Sequence, residues 1–255
     1  MSTDNKFPTE VIDLPSKGWY YDQNSVLASG QIELKYLTAK EEDILTSRNL
    51  IQKGVVLDRL LQALIVDKNI DYSQLLTGDK NGILVATRIL GYGKEYKVNI
   101  TCSSCGQLQS NVVDLTALVE KDIKEPTEKG KNEFTFMLPT LKKVVIFKLL
   151  THKDEEDIIK EIEMSKKLGS DIDTTLSTRL KYIITSVDGN ATEAAVRAFV
   201  DNDFLARDAR AFRDYYASVN PDIDLSFDFG CENCGEQRRV EMPIGIDFFW
   251  PDTGV

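Results

Sequence analysis

Four cysteines stand in two like settings, Cys102-Ser-Ser-Cys105-Gly106 and Cys231-Glu-Asn-Cys234-Gly235, and the chain has no others. A two-residue spacer turns both thiolates of one tight turn toward a single point. The glycine that follows supplies the left-handed backbone that closes the turn. Each turn lies between segments of strand character: Tyr96 to Ile100 and Leu108 to Leu115 about the first, Ile223 to Phe229 and Val240 to Ile246 about the second. Two such knuckles supply four sulfurs, the complete tetrahedral set of a structural zinc site, with no coordination position left open for chemistry. A shared ion would join parts of the chain 126 residues apart.

Other readings of the cysteines stand beside this one. A thioredoxin-like pair opens a helix, whose N-terminus lowers the thiol pKa, whereas strand follows both turns here. Paired disulfides suit a secreted domain, and the opening Met1-Ser-Thr-Asp-Asn-Lys6 contains no apolar signal segment. Unmetallated thiols, separate sites and a metal other than zinc complete the set. The expectation is one structural Zn2+ per chain, held by Cys102, Cys105, Cys231 and Cys234 in a reducing cytoplasm.

A repeat frames the knuckles. Lys35-Tyr-Leu-Thr-Ala-Lys-Glu-Glu-Asp-Ile-Leu45 returns as Lys148-Leu-Leu-Thr-His-Lys-Asp-Glu-Glu-Asp-Ile158-Ile159. Thr38 and Thr151 each precede an acid at the third helical position, Glu41 and Asp154, so both mark helix starts. Upstream, Val11-Ile-Asp-Leu-Pro15-Ser16 corresponds to Phe134-Thr-Phe-Met-Leu-Pro139-Thr140. Downstream, Asp79 to Leu90 aligns without gaps onto Asp201 to Phe212, pairing Asp79 with Asp201 and Arg88 with Arg210. The predicted fold class is α+β, two tandem duplicated halves. Each half is a small β-hairpin, about three helices and a strand–zinc-knuckle–strand hairpin. The halves are residues 1–119 and 133–255, and the charged segment 120–132 between them reads as a solvated linker.

No catalytic constellation emerges. There is no glycine-rich phosphate loop after a strand and no Gly-x-Ser-x-Gly elbow. The single histidine, His152, reads as an exposed first-turn residue. The Asp79/Arg88 and Asp201/Arg210 pairs read as ion pairs that hold the fold. A net charge of −10 argues against direct binding of nucleic acid, and no apolar run reaches the length of a membrane span. Two aromatic clusters are candidate partner surfaces: Trp19-Tyr20-Tyr21 after the first turn, and Phe248-Phe249-Trp250 near the end. The second either folds back onto its own domain or docks on a partner.

Leu14-Pro-Ser-Lys-Gly-x-x-Tyr21, Leu37-Thr-x-x-Glu41-Glu-Asp-Ile-Leu45, Leu76-x-Gly78-Asp79, Arg88, Tyr92-Gly93, Tyr96 and Cys102-x-x-Cys105-Gly106 follow in order. This set resembles a family of baseplate proteins of contractile-tailed bacteriophages of the T-even type, which includes hub-assembly proteins. The resemblance runs from residue 8 to about 115 and is looser in the second half, where Val200 stands for Gly78 and Asp214-Tyr215 for Tyr92-Gly93. It implies a non-enzymatic protein of the tail baseplate, with other hub or wedge proteins as partners. It places the chain in the virion tail, and in the host cytoplasm during assembly. The alternative from another class is a zinc-ribbon adaptor of a nucleic-acid-processing complex, which a basic stripe would favour.

Overall fold

The computed structural model describes residues 8–168, 172–242 and 244–249. The first strands, β1 (Thr9–Asp13) and β2 (Gln31–Lys35), form an antiparallel hairpin with Ile12 opposite Ile32. Alternation along β2 buries Ile32 and Leu34. Four helices follow: α1 (Ala39–Leu45), α2 (Arg48–Gln52), α3 (Val56–Leu64) and α4 (Thr77–Tyr92). Thr38 closes a full capping box on α1, and Val56, Leu60, Leu61 and Leu64 give α3 its buried stripe. A second hairpin, β3 (Glu95–Thr101) and β4 (Leu108–Asp114), carries the first knuckle at its tip, and a two-residue strand, β5 (Val119–Glu120), follows.

The order then recurs with variations. β6 (Phe134–Met137) pairs with β7 (Val144–Phe147), and α5 (His152–Lys167) starts at a second capping box on Thr151. After α6 (Thr175–Ile183), a strand β8 (Ile184–Val187) joins β7, where the first half has only an isolated bridge between Leu34 and Ile65. α7 (Glu193–Ala198), a π-helical turn over Phe199–Asp203 and α8 (Ala206–Val219) complete the helices. β9 (Ile223–Asp224) precedes the last hairpin, β10 (Ser226–Gly230) and β11 (Gln237–Glu241), with the second knuckle at its tip. The fold is mixed helix and antiparallel sheet, as an α+β class requires.

Several contacts occur in both halves. Lys35 Nζ reaches Glu41 at 2.7 Å, and Lys148 Nζ reaches Asp154 at the same distance. The third residue of α4, Asp79, accepts from Ser16 N at 2.8 Å, Ser16 Oγ at 2.6 Å and Tyr21 Oη at 2.5 Å. The third residue of α8, Asp208, accepts from Thr140 N at 2.7 Å and Leu141 N at 3.0 Å. This corrects the ungapped pairing read from the sequence. Asp201 lies in the π-helical turn and ion-pairs with Lys181 at 2.8 Å, so Asp208, not Asp201, makes backbone contacts like those of Asp79. Nor does Arg88 pair with Asp79. Its guanidinium donates to the carbonyls of Phe248, Gly93 and Glu95 at 2.9, 3.1 and 3.3 Å, while Arg210 is exposed.

Burial pushes the Asp79 carboxyl up to about 6, against the hydrogen bonds from Ser16 and Tyr21. The folded chain therefore binds this proton more tightly than the unfolded chain does. The resulting stability is fully present below about pH 4 and is lost as the pH rises through 6. Asp79→Asn stays neutral throughout. Its stability relative to the parent should therefore rise by roughly 3 kcal/mol between about pH 4 and about pH 7.5, measured by urea unfolding of both chains. A difference that does not change with pH would refute the assignment.

The two halves interlock. A first core gathers Leu14, Leu34, Leu60, Leu61 and Ile83 together with Phe229, Met242, Phe248 and Phe249 from the far end of the chain. A second gathers Leu138, Phe147, Ile158, Leu180 and Phe212, and the partly buried Phe134, Tyr216 and Val219 pack against both. Between them, His152 N donates to Leu75 O at 2.7 Å and Thr77 N to Leu150 O at 3.0 Å. His152 is buried, contrary to the exposed position expected. Its ring lies 4.7 Å from that of Tyr72, and Nδ1 is 3.4 Å from Lys80 Nζ and 3.7 Å from Asp58. Burial and the Lys80 charge lower its pKa, keeping the imidazole neutral at neutral pH.

Nor is the segment 120–132 a free tether. β5 pairs with β9, Ile123 is buried, Gly130 N donates to Trp19 O at 2.8 Å, and the Asn132 side chain bonds Leu149 N and O. Beside this seam α4 presents Gly78 to the backbone of the Pro221 turn. A Cβ on Gly78 would fall 1.7 Å from Pro221 O. Alanine favours a helix by up to about 1 kcal/mol over glycine, but here its Cβ meets a backbone carbonyl and no rotamer relieves the clash. Gly78→Ala should therefore cost about 3 kcal/mol. Gly91→Ala in the same helix meets only the Leu37 side chain, at 3.0 Å, and should be near neutral in the same denaturation assay.

Candidate metal centre

The two knuckle hairpins present their tips to each other. β3 pairs with β4 from Glu95–Asp114 to Thr101–Leu108, and β10 with β11 from Ser226–Glu241 to Gly230–Gln237. At the first tip Cys102 N donates to Gln107 O at 2.9 Å and Gly106 N to Cys102 O at 2.9 Å. At the second, Cys231 N donates to Glu236 O at 2.8 Å and Gly235 N to Cys231 O at 2.9 Å. Gly106 and Gly235 have φ of 72° and 74°, the left-handed backbone that each turn requires.

All four sulfurs lie within 4.8 Å of one another. Two close approaches run across the two hairpins, Cys102 to Cys234 and Cys105 to Cys231, each at 3.7 Å. Tetrahedral zinc with Zn–S of about 2.3 Å spaces its sulfurs about 3.8 Å apart, so the donor set fits such an ion in number, type and span. Cys102 and Cys231 are buried, while Cys105 and Cys234 are exposed.

The thiols crowd one another electrostatically. A hydrogen bond from Asn233, helped by the Gln107 N–H, draws Cys105 down to about 6. At Cys234 the Glu236 N–H lowers the pKa, but burial and three neighbouring sulfurs prevail and push it up to about 12. Negative charge gathered on sulfurs at this spacing is self-repelling, and a divalent cation would offset that repulsion.

The sequence-predicted cysteines thus converge on one point. The aromatic candidates are placed differently. Tyr20 and Tyr21 are buried, and Tyr21 Oη serves the fold by donating to Asp79 and accepting from Leu76 N at 2.9 Å. Trp19 is half-buried at the rim of a cavity of about 320 Å3, with the ammonium groups of Lys17 and Lys129 5.9 and 5.6 Å from its ring. Phe248 and Phe249 have no exposed surface and belong to the first core, not to an open docking surface. Trp250 lies outside the described residues.

Sequence reasoning missed Gln109 and Arg238, which link the two hairpins across the cysteines. Their only signal was equivalent placement, seven residues after the first cysteine of each knuckle.

The site defines a class, proteins in which distant segments meet at a cluster of four cysteines. The chain belongs to the T4 bacteriophage base plate protein family, whose model matches residues 20–250. The match takes in both knuckles and extends well past residue 115, where the sequence resemblance weakened. No curated protein and no solved structure matches the chain. Among the described residues no helix is long and apolar enough to cross a membrane.

Proposed function

We propose that this chain is a non-catalytic structural or assembly protein of the phage tail baseplate, in the hub or a wedge, folded around one structural zinc ion. Family membership over most of the chain carries the baseplate assignment. The convergence of four cysteine sulfurs within 4.8 Å supports the zinc reading. Cys102, Cys105, Cys231 and Cys234 would hold the ion. When bound, it would supply a closed, redox-inert cross-link between the hairpins and no reactive position.

The chain is read as a tandem duplication, residues 1–119 and 133–255. The paired capping boxes and the matched Asp79 and Asp208 contacts support that reading. The repeats act as one body, because the last hairpin and the C-terminal residues complete the core of the first. Partners are other baseplate proteins, and the Trp19 turn, with its half-open ring between two lysines, is the contact proposed for one of them.

Mass spectrometry of purified particles beside assembly intermediates tests the role. Presence of the chain in either sample at stoichiometry with hub or wedge proteins is expected. Absence from both would end the baseplate reading. Trp19→Ala should reduce co-purification with those proteins and leave the chain folded.

A further inference from the structure

Gln109, on β4, reaches across the cysteine site and grips the opposite knuckle on both sides of Cys231. Its Nε2 donates to Gly230 O at 3.0 Å, and its Oε1 accepts from Glu232 N at 2.9 Å. Arg238, on β11, makes the corresponding reach in the other direction, donating from Nη2 to Thr101 O, next to Cys102, at 3.0 Å. Gln109 and Arg238 stand 129 positions apart, as do Thr101 and Gly230, and Cys102 and Cys231. The contact is therefore isologous in form: each hairpin holds the backbone beside the first cysteine of the other.

The two grips are unequal. Gln109 engages both ends of its amide. Arg238 makes one bond to the opposite knuckle and lies with its guanidinium 5.6 Å from the Phe229 ring, while its buried Nε has no hydrogen-bond partner.

We propose that Gln109 is the positioning residue of the metal centre, fixing Cys231 opposite Cys105 before the ion arrives and so setting the affinity; this rests on the zinc reading above. A two-stranded ribbon such as β10–β11 is marginally stable by itself. Phe229 seats β10 in the first core, but without the amide bonds the turn beyond it would lose its hold on β4, and metal binding would bear more of the cost of fixing the sulfurs. The amide clamp removes that cost in advance, the effect by which outer-shell partners hold metal ligands elsewhere. Arg238 adds a weaker hold on Cys102.

The test is zinc competition against a chelator of known affinity, with cobalt(II) titration, on full-length reduced protein. Gln109→Ala should bind zinc about 10–100-fold more weakly and Arg238→Ala less than about tenfold more weakly, both keeping the thiolate-to-cobalt absorption band. Val113→Ala is the control. It opens a cavity on the buried face of the same hairpin and leaves the clamp intact. Its affinity should stay within about threefold of the parent, a split that a merely structural role for Gln109 would not produce. Parental affinity in Gln109→Ala would overturn the proposal. An equal loss in Val113→Ala would overturn it too, because affinity would then follow hairpin stability alone. A parent chain with no thiolate-to-cobalt band would bring down the zinc reading itself, and the positioning role with it.

Discussion

Full-length protein purified under reducing conditions should carry close to one zinc ion per chain, and stripping that ion should cause the largest loss of stability of any single change considered. Metal binding of this type couples roughly 10–16 kcal/mol to folding. The coupling would be strong here because each knuckle caps a two-stranded hairpin whose inner face belongs to the first core, with Cys102 and Cys231 themselves buried in it. Cys102→Ser and Cys234→Ser should each loosen both hairpins, read as faster amide exchange along β3–β4 and β10–β11 alike. A metal ratio near zero with reactive thiols would sink the zinc reading. Loosening confined to the substituted hairpin would leave two separate turns in place of one shared centre.

The second large effect is expected at the end of the chain. Phe248 is fully buried, with its ring 5.0 Å from Tyr96 and 5.4 Å from the perpendicular Phe249. Phe248→Ala should cost about 3–5 kcal/mol, the range for emptying a buried aromatic site. Ending the chain at Asp247 should cost more. It also removes the Phe248 carbonyl and leaves Arg88 Nε, on the buried side of α4, without its acceptor. The midpoint of urea unfolding measures both. A truncated chain as stable as the parent would mean that the aromatic pair contributes nothing to the core. The last residues would then again be candidates for a partner contact.

What was legible in the sequence was local. The knuckles declare themselves because spacer and glycine lie within five residues, and the capping boxes because Thr38 with Glu41, and Thr151 with Asp154, lie within one turn of helix. The tertiary partners were not legible. The acidic spacing invites pairing Asp79 with Asp201, yet Asp201 falls in the π-helical turn, and the acid that bonds backbone N–H groups from the third position of its helix is Asp208, seven residues further on. His152 looked exposed because its neighbours are acidic, yet the Leu75–His152 hydrogen bond draws it under Tyr72. Segment 120–132 is polar enough for a linker, but its ties to β9, Trp19 and Leu149 come from parts of the chain that no local pattern connects to it. Gln109 escaped notice because a polar residue on a strand reads as solvent-facing until the opposite turn is in place.

The seating of Phe229, Met242, Phe248 and Phe249 among the side chains of the first half has a consequence for synthesis. A ribosome releases the chain from its N-terminus, so residues up to about 120 emerge with their strands, helices and first knuckle formed in sequence terms but with part of their apolar interior unfilled. That interior closes only once Phe229, Met242, Phe248 and Phe249 have left the exit tunnel. The first half therefore waits, with greasy surface open, for the length of the second half's translation. A ribosome stalled late in the message would hold a nascent chain that chaperones and proteases recognise, and a gene fragment coding for the first half alone would express an aggregation-prone product.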